Sequence, residues 1–484
     1  MLKNFFWSFG ERVIAQLVTL IVSIILARIL LPAEFGVVSL VMIFITLANV
    51  VVSDGFGAAL VQKKNSDELD FSTIFWFSEF VSIVLYFLIF TSATLIANYY
   101  NMKILTPVLR VMGLRLPLAA LNSIQKAKVS KDLAFRKFFF STIIGTLISG
   151  IIGIILAYKG FGVWAIVFQY LTNCFIDSLI LFFTCNWKPK LLFSFDRLKP
   201  LVSYGGRILG VSLMNSLYSN LRNLVIGKKY SSEELGYSKK AESFPSLIST
   251  NINSAVVSVL FPVLTKEQDD KEKILILSRQ FISVCTFAMV PLLLGLAAVS
   301  SEVVSILLTE KWLPCVPYMQ ILCVIYLFQP IQQASIQALK AIGESKRFLY
   351  LELLKKAFGL IILFSSVFFF DSVFAIVLGA LIAELFSVLA NFPINKKIFG
   401  YGYFQQLLDI LKSVIGGLLM WGGVYLLKLC LISYTSSSWI ILISSIFCGV
   451  IIYAIYSIIF NRASVNYIKN VISKTIIKIR SDKR

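Results

Sequence analysis

Three stretches of the chain repeat cations, amides and hydroxyls at helical spacing. Arg12, Gln16, Thr19 and Ser23 follow at intervals of four, three and four, which puts them on one helical face. Ser212, Asn215, Ser219 and Arg222 form a second stripe, and Asn251, Ser254 and Ser258 a third, with Asn253 beside it. Arginine stays charged at any relevant pH, and its planar fork pairs with oxyanions. Such faces suit an anionic, hydroxylated solute. Arg28 and Arg207 extend the set. A competing reading puts Arg12 and Arg207 at cytoplasmic helix ends and lets Arg28 and Arg222 snorkel to the outer interface.

Three acids fall inside apolar sequence: Asp54, Asp177 and Glu384, the last within Leu381-Ile382-Ala383-Glu384-Leu385. A lone carboxylate in a membrane is costly unless it is protonated or paired, so each is a candidate for ion or proton coupling. Asp54 lies beside glycines and serves equally well as a packing or capping residue. Glu352 has Lys355 and Lys356 three and four residues on, and is expected to be neutralised along its own helix. The run Asp269-Asp270-Lys271-Glu272 reads as a solvated loop. The chain has no histidine, which excludes a His-based metal site, general base or proton relay. Its seven cysteines are scattered and show no Cys-x-x-Cys spacing, so they read as small core residues. No P-loop occurs. Neither a catalytic residue, a metal site nor a cofactor is expected.

The elements that hold these residues must be membrane helices. Of 484 residues, 58% are hydrophobic and 14% charged, with a mean hydropathy of +0.84. Fourteen spans of roughly 20 to 24 residues use about 310, which leaves loops and termini but no soluble domain. That excludes a membrane-tethered glycosyltransferase with a cytosolic catalytic domain and argues against a glycan-processing enzyme with a large outer loop. Apolar runs predict helices near 9–30, 37–60, 73–97, 106–125, 138–158, 163–184, 201–226, 240–264, 276–300, 317–339, 348–370, 373–395, 410–432 and 438–460. The spans at 106–125 and 240–264 are the most polar. The first apolar stretch runs too long for a cleavable signal peptide. With loops alternating, 28 of the 45 Lys and Arg fall on one side and 7 on the other. The positive-inside rule then puts both termini in the cytoplasm. The net charge of +20 is therefore a topology signal, and no nucleic-acid partner is expected. The basic tail 461–484, with Val465, Ile468, Ile472, Ile476 and Ile479 at three- and four-residue spacing, predicts an amphipathic helix on anionic inner-leaflet lipids. The segment 185–200 reads the same way.

That segment lies at the midpoint of an internal repeat. Ser8-Phe9-Gly10-Glu11-Arg12 opens the first span and Ser203-Tyr204-Gly205-Gly206-Arg207 the seventh. Pro32-Ala33-Glu34-Phe35-Gly36 follows 20 residues on and Ser232-Glu233-Glu234-Leu235-Gly236 25 residues on, so the two matches stand at offsets of 195 and 200. Both copies start inside and run six spans, so they are parallel repeats about an axis along the membrane normal, a transporter plan. The expected fold is all-α. It comprises an N-lobe over 1–184, the connection 185–200, a C-lobe over 201–396, two further helices over 397–460 and the tail.

Ala27-Arg28-Ile29-Leu30-Leu31-Pro32-Ala33-Glu34-Phe35-Gly36, Ser53-Asp54-Gly55-Phe56-Gly57-Ala58-Ala59-Leu60-Val61-Gln62, Leu235-Gly236-Tyr237 with Ala241, Phe261-Pro262-Val263-Leu264 and Lys311-Trp312 resemble the polysaccharide transporter family. These are the Wzx-type flippases, in the superfamily that also holds the MATE drug exporters and the lipid II flippase. The resemblance runs from about residue 1 to 400 and implies two six-helix lobes, a multi-pass protein of the bacterial inner membrane, and translocation of undecaprenyl-diphosphate-linked oligosaccharide. It also implies partnership with other membrane proteins of polysaccharide assembly. Under it, Arg12, Gln16, Arg28, Arg207, Asn215, Arg222, Asn251 and Asn253 are the candidate cavity residues for diphosphate and glycan. The alternative is a cation-coupled exporter of small drugs, for which a sparse aromatic cavity with a prominent acid is expected.

Overall fold

The computed structural model describes residues 2–54, 57, 59–60, 63, 66–132, 135–185 and 187–462. No strand occurs among them. The first half comprises α1 (Leu2–Ile29), α2 (Pro32–Asn49) running into a π turn (Val50–Asp54), α3 (Glu68–Tyr100), α4 (Leu105–Met112), α5 (Arg115–Lys131), α6 (Phe135–Tyr158), α7 (Val163–Thr184) and α8 (Phe195–Lys229). The second half comprises α9 (Ser232–Lys266), α10 (Lys271–Ala298), α11 (Ser300–Leu307), a 3-10 turn (Glu310–Cys315), α12 (Val316–Leu327), α13 (Gln329–Ala341), α14 (Ser345–Phe369), α15 (Val373–Phe399), α16 (Tyr403–Ile432) and α17 (Ser438–Phe460). The apolar runs read as spans fall mainly on helix among the described residues, and nine stretches of those residues are long and apolar enough to cross a membrane. Large apolar side chains face outward along them, Leu95 at 72% and Phe447 at 69% exposure. This is a surface suited to lipid, because helices satisfy their backbone internally and leave only side chains to the hydrocarbon.

Two of the expected spans are broken helices, and both breaks trace to proline. Pro117 has no N–H to give the Gly113 carbonyl, which accepts instead from Leu116 N at 2.9 Å, so the chain tightens between α4 and α5. Pro330 occupies the first turn of α13, just after the Phe328 junction with α12.

The helix expected over 185–200 forms only from Phe195. Pro189 disfavours helix at Lys188, and the stretch 187–194 lies along the start of α3. There Trp76 Nε1 donates to the Lys190 carbonyl at 2.8 Å, Lys190 N to Ser72 Oγ at 3.3 Å and Ser194 N to Thr73 Oγ1 at 3.2 Å. Trp187 packs on Phe71 and Phe75. The fully buried Asp70 pairs with Lys63 at 2.5 Å and Arg197 at 3.6 Å, which ties the first turn of α8 to α3. Asp67 caps α3, and the bond from Asp70 N holds its carboxyl below the usual carboxylate range. The amphipathic tail lies outside the described residues from 463 onward.

The chain divides into two compact units, Met1–Lys239 and Lys240–Arg484. In the first, α6 and α7 form a hairpin against α1, while α8 packs on α2 and α3. In the second, α10 is flanked by α12, α13 and α16, with α14–α15 and α16–α17 as hairpins. Its core gathers Leu264, Ile274, Ile331 and Leu339, all nearly inaccessible. Trp312 of the Lys-Trp motif is completely buried.

The two repeat motifs meet each other inside the first unit. A Cβ on Gly36 would overlap the Ser232 carbonyl oxygen and stand 3.1 Å from Gly236 N. One on Gly236 would overlap the Pro32 carbonyl oxygen and stand 3.3 Å from Gly36 N. Residue 36 touches 232 and residue 236 touches 32, the reciprocity of a two-fold contact. The same motif anchors a third segment: Glu34 accepts from Leu31 N at 2.8 Å and abuts Gly162, whose φ of +56° favours glycine.

Candidate functional site

The break before α5 places Arg115 at the start of a polar face made by Arg115, Asn122, Lys126 and Ser130. This face lines a cavity of about 530 Å³ in the first unit, with Asn49 and Ser53 opposite and Asn173 and Asp177 on α7. Asp177 is not the lone carboxylate that its sequence surroundings suggest. Lys126 Nζ lies 2.7 Å from its Oδ2, and Asn122 Nδ2 reaches the same oxygen at 3.3 Å and Ser178 Oγ at 3.0 Å. Lys126 reads as a loop cation in sequence, but it sits within helix as the partner of a membrane acid. Asn173 Nδ2 donates to Thr146 and Ser149, both at 3.4 Å, and so links α7 to α6.

A second cavity of about 320 Å³, also in the first unit, gathers Thr19 and Ser23 of the α1 stripe with Gln169 and Tyr170 of α7 and Asn220 of α8. Met42 and Tyr170 line it, and these two residues also touch Arg115. The guanidinium lies 5.6 Å from the Tyr170 ring centroid, and Nη1 lies 3.4 Å from Met42 Sδ. Arg115 therefore stands where the two cavities approach each other.

The candidates read from sequence fare unevenly. Gln16 and Arg222 are half-buried and Arg28 and Asn215 exposed, and none of the four lines either cavity. The side chains of Arg12, Arg207 and Asp54 lie outside the described residues. In the second unit, Asn251 Nδ2 donates to the Leu247 carbonyl of its own helix at 2.8 Å. Asn253 Nδ2 donates to Gln329 Oε1 at 2.6 Å, which also accepts from Ser249 Oγ at 2.6 Å. Glu384 is not isolated either. Gln332 Nε2 donates to its Oε1 at 2.5 Å, and Lys355 lies within electrostatic reach while standing 3.4 Å from Glu352, the neutralising partner expected for that acid. Gln329 and Gln332 are three residues apart, so one face of α13 serves both clusters.

Sequence reasoning missed Arg115, Lys126, Gln169, Tyr170, Gln329 and Gln332. The spacing of Arg115, Asn122, Lys126 and Ser130 was the available signal for the first two.

Residues 25–317 match the family described as polysaccharide biosynthesis protein. The chain belongs to that family. Over 327 residues it is 26% identical to the lipopolysaccharide biosynthesis protein WzxC of Escherichia coli, across 67% of this chain and 66%, just under two thirds, of the relative. Over 374 residues it is 25% identical to the teichuronic acid biosynthesis protein TuaB of Bacillus subtilis, across 75% and 76% of the two chains. Among solved structures, the inward closed lipid II flippase MurJ superposes with a TM-score of 0.76 at 17% identity, over 96% of this chain and all of that one. An inward-facing MATE multidrug transporter gives 0.60 at 15% identity, over 79% and 95%. This polysaccharide biosynthesis protein thus shares the all-helical membrane fold of flippases and transporters.

Proposed function

We propose that the chain is a flippase that carries undecaprenyl-diphosphate-linked oligosaccharide repeat units across the bacterial inner membrane by alternating access. The observation that carries this reading is the polar cavity lined by Arg115, Asn122 and Lys126 inside a bundle whose outside is apolar. A lipid-linked glycan needs cations and hydrogen-bonding groups for its head, while its polyprenyl tail stays in lipid. The drug-exporter alternative draws on the fold of the MATE neighbour, but a cavity rich in amides and cations favours a hydroxylated anion. Restoration of surface glycan in a strain deleted for its polysaccharide flippase tests the proposal.

In this reading there are fourteen spans, six in each of two lobes over 1–184 and 201–396, joined at 185–200, and two more over 397–460, with both termini cytoplasmic. The tail 461–484 rests on anionic inner-leaflet lipids, and other assembly proteins of the membrane receive the product. Reporter fusions after Lys64, Lys199 and Lys397 should read cytoplasmic, and fusions after Lys103 and Lys159 extracytoplasmic. A reversed pattern on both sides of residue 199 would dismantle the parallel-repeat arrangement.

Arg12, Arg28, Arg207 and Arg222 serve the diphosphate, and Gln16, Asn215, Asn251 and Asn253 the glycan. Coupling falls to Glu384 first, followed by Asp177 and Asp54. With no P-loop in the sequence, the flip is driven either by removal of product on the far side or by an ion gradient, which requires a group that alternates exposure. Glu384→Gln mimics the protonated acid, and the Gln332 bond can persist to its amide oxygen. Transport by this variant should lose its response to an imposed pH difference in vesicles while the fold persists. A wild-type response would make Glu384 a structural acid.

A further inference from the structure

Arg115 has no carboxylate partner among the described residues; its guanidinium meets the Met42 thioether, the face of Tyr170 and the Cys174 thiol. A cation held between membrane helices is costly unless an anion or water joins it. The cavity in front of it, at about 530 Å³, is in the size range of small-molecule sites. Two of its lining residues have the opposite need. Asn49 Oδ1 and Asp177 Oδ1 are buried acceptors that no donor among the described residues reaches, each carrying a desolvation cost that a donor would relieve.

These demands select among ligands. A diphosphate satisfies the guanidinium but brings no donor for Asn49 and Asp177. A neutral sugar brings donors and leaves Arg115 unpaired. A sugar acid carries one carboxylate and several hydroxyls on a single ring and meets both. We infer that the Arg115 cavity is a subsite for an acidic sugar of the cargo glycan, whose carboxylate pairs with Arg115 and whose hydroxyls donate to Asn49 and Asp177. Lys126 is engaged with Asp177 and holds that carboxylate at the wall. The subsite rests on the glycan-carrier reading and narrows the cargo from any oligosaccharide to an acidic one.

The test uses the full chain in phospholipid nanodiscs, with methyl glucuronide as the probe and saturation-transfer NMR as the readout. Wild type should bind it, and methyl glucoside and inorganic pyrophosphate should compete poorly. Arg115→Gln should weaken binding by roughly tenfold or more, the worth of one charge-assisted contact. Asn49→Leu keeps the charge and should also weaken binding, which covers the case in which Arg115→Gln fails to fold. Lys273→Ala, at the exposed start of α10, should leave the affinity unchanged. Displacement by pyrophosphate as efficient as self-competition would overturn the acidic-sugar assignment, as would full binding by both Arg115→Gln and Asn49→Leu. Glucuronide binding by a wild-type protein that moves no lipid-linked oligosaccharide supports the subsite and sinks the flippase reading alone.

Discussion

Gly36→Ala should lower the melting temperature of the purified protein sharply and stop glycan export, with Gly236→Ala behaving alike. At each position the added methyl is directed at backbone of the opposing helix, so no side-chain rotamer can relieve the overlap and α2 and α9 must separate. Overpacking in proteins costs roughly 1–3 kcal/mol, occasionally more, and a clash between backbones belongs at the top of that range. The reciprocity makes a sharper claim. Once one methyl has parted the helices the second meets open space, so the double variant should be little worse than either single one, a strong departure from additivity. Thermal melts of the three variants in one detergent decide this. Additive losses would mean that each glycine acts through its own helix.

Arg12→Ala and Arg222→Ala are each expected to abolish complementation of a flippase deletion while protein remains in the membrane. A guanidinium fork lost from a phosphate removes roughly 1.5–3 kcal/mol per charge-assisted bond, which in the proposed role is lost from the hold on the diphosphate. Arg→Lys at the same positions separates charge from geometry: partial activity indicates that charge suffices, and near-complete loss that bidentate contact is required. Full activity in both alanine variants would return Arg12 to a cytoplasmic helix end and Arg222 to interfacial snorkelling.

The apolar pattern located the helices well wherever hydrocarbon alone sets their ends. α7 begins at Val163 and α17 at Ser438, as read, because uninterrupted apolar runs stop there at Gly162 and a serine-rich turn. α8 and α9 run to 35 residues each, well past the roughly 20 a bilayer needs, because polar turns such as Ser232-Glu233-Glu234 continue a helix into water where hydropathy gives no sign of it. The repeat was legible as two pentapeptides, but the contact of each with the other was not, since spacing along a chain says nothing about which helices cross. The site was legible one residue at a time. The depth of Asp177 and Glu384 marked them, but their partners, Lys126 and Gln332, come from helices 51 and 52 residues away. Arg115 escaped notice because Pro117 interrupts the very span whose polar face it begins.

Translocation measured directly is the decisive observation. The purified chain is reconstituted into phospholipid vesicles with a fluorescent undecaprenyl-diphosphate-linked oligosaccharide in both leaflets, and a membrane-impermeant quencher reports the outer pool. Protein-free vesicles should protect about half of the label, because the diphosphate and glycan cannot cross hydrocarbon unaided. Vesicles with the chain should expose nearly all of it, and those with Arg12→Ala/Arg222→Ala should resemble the empty ones. Protection that stays at half with wild-type protein, in vesicles shown to hold folded chain, would contradict the assignment of this protein as a lipid-linked oligosaccharide flippase.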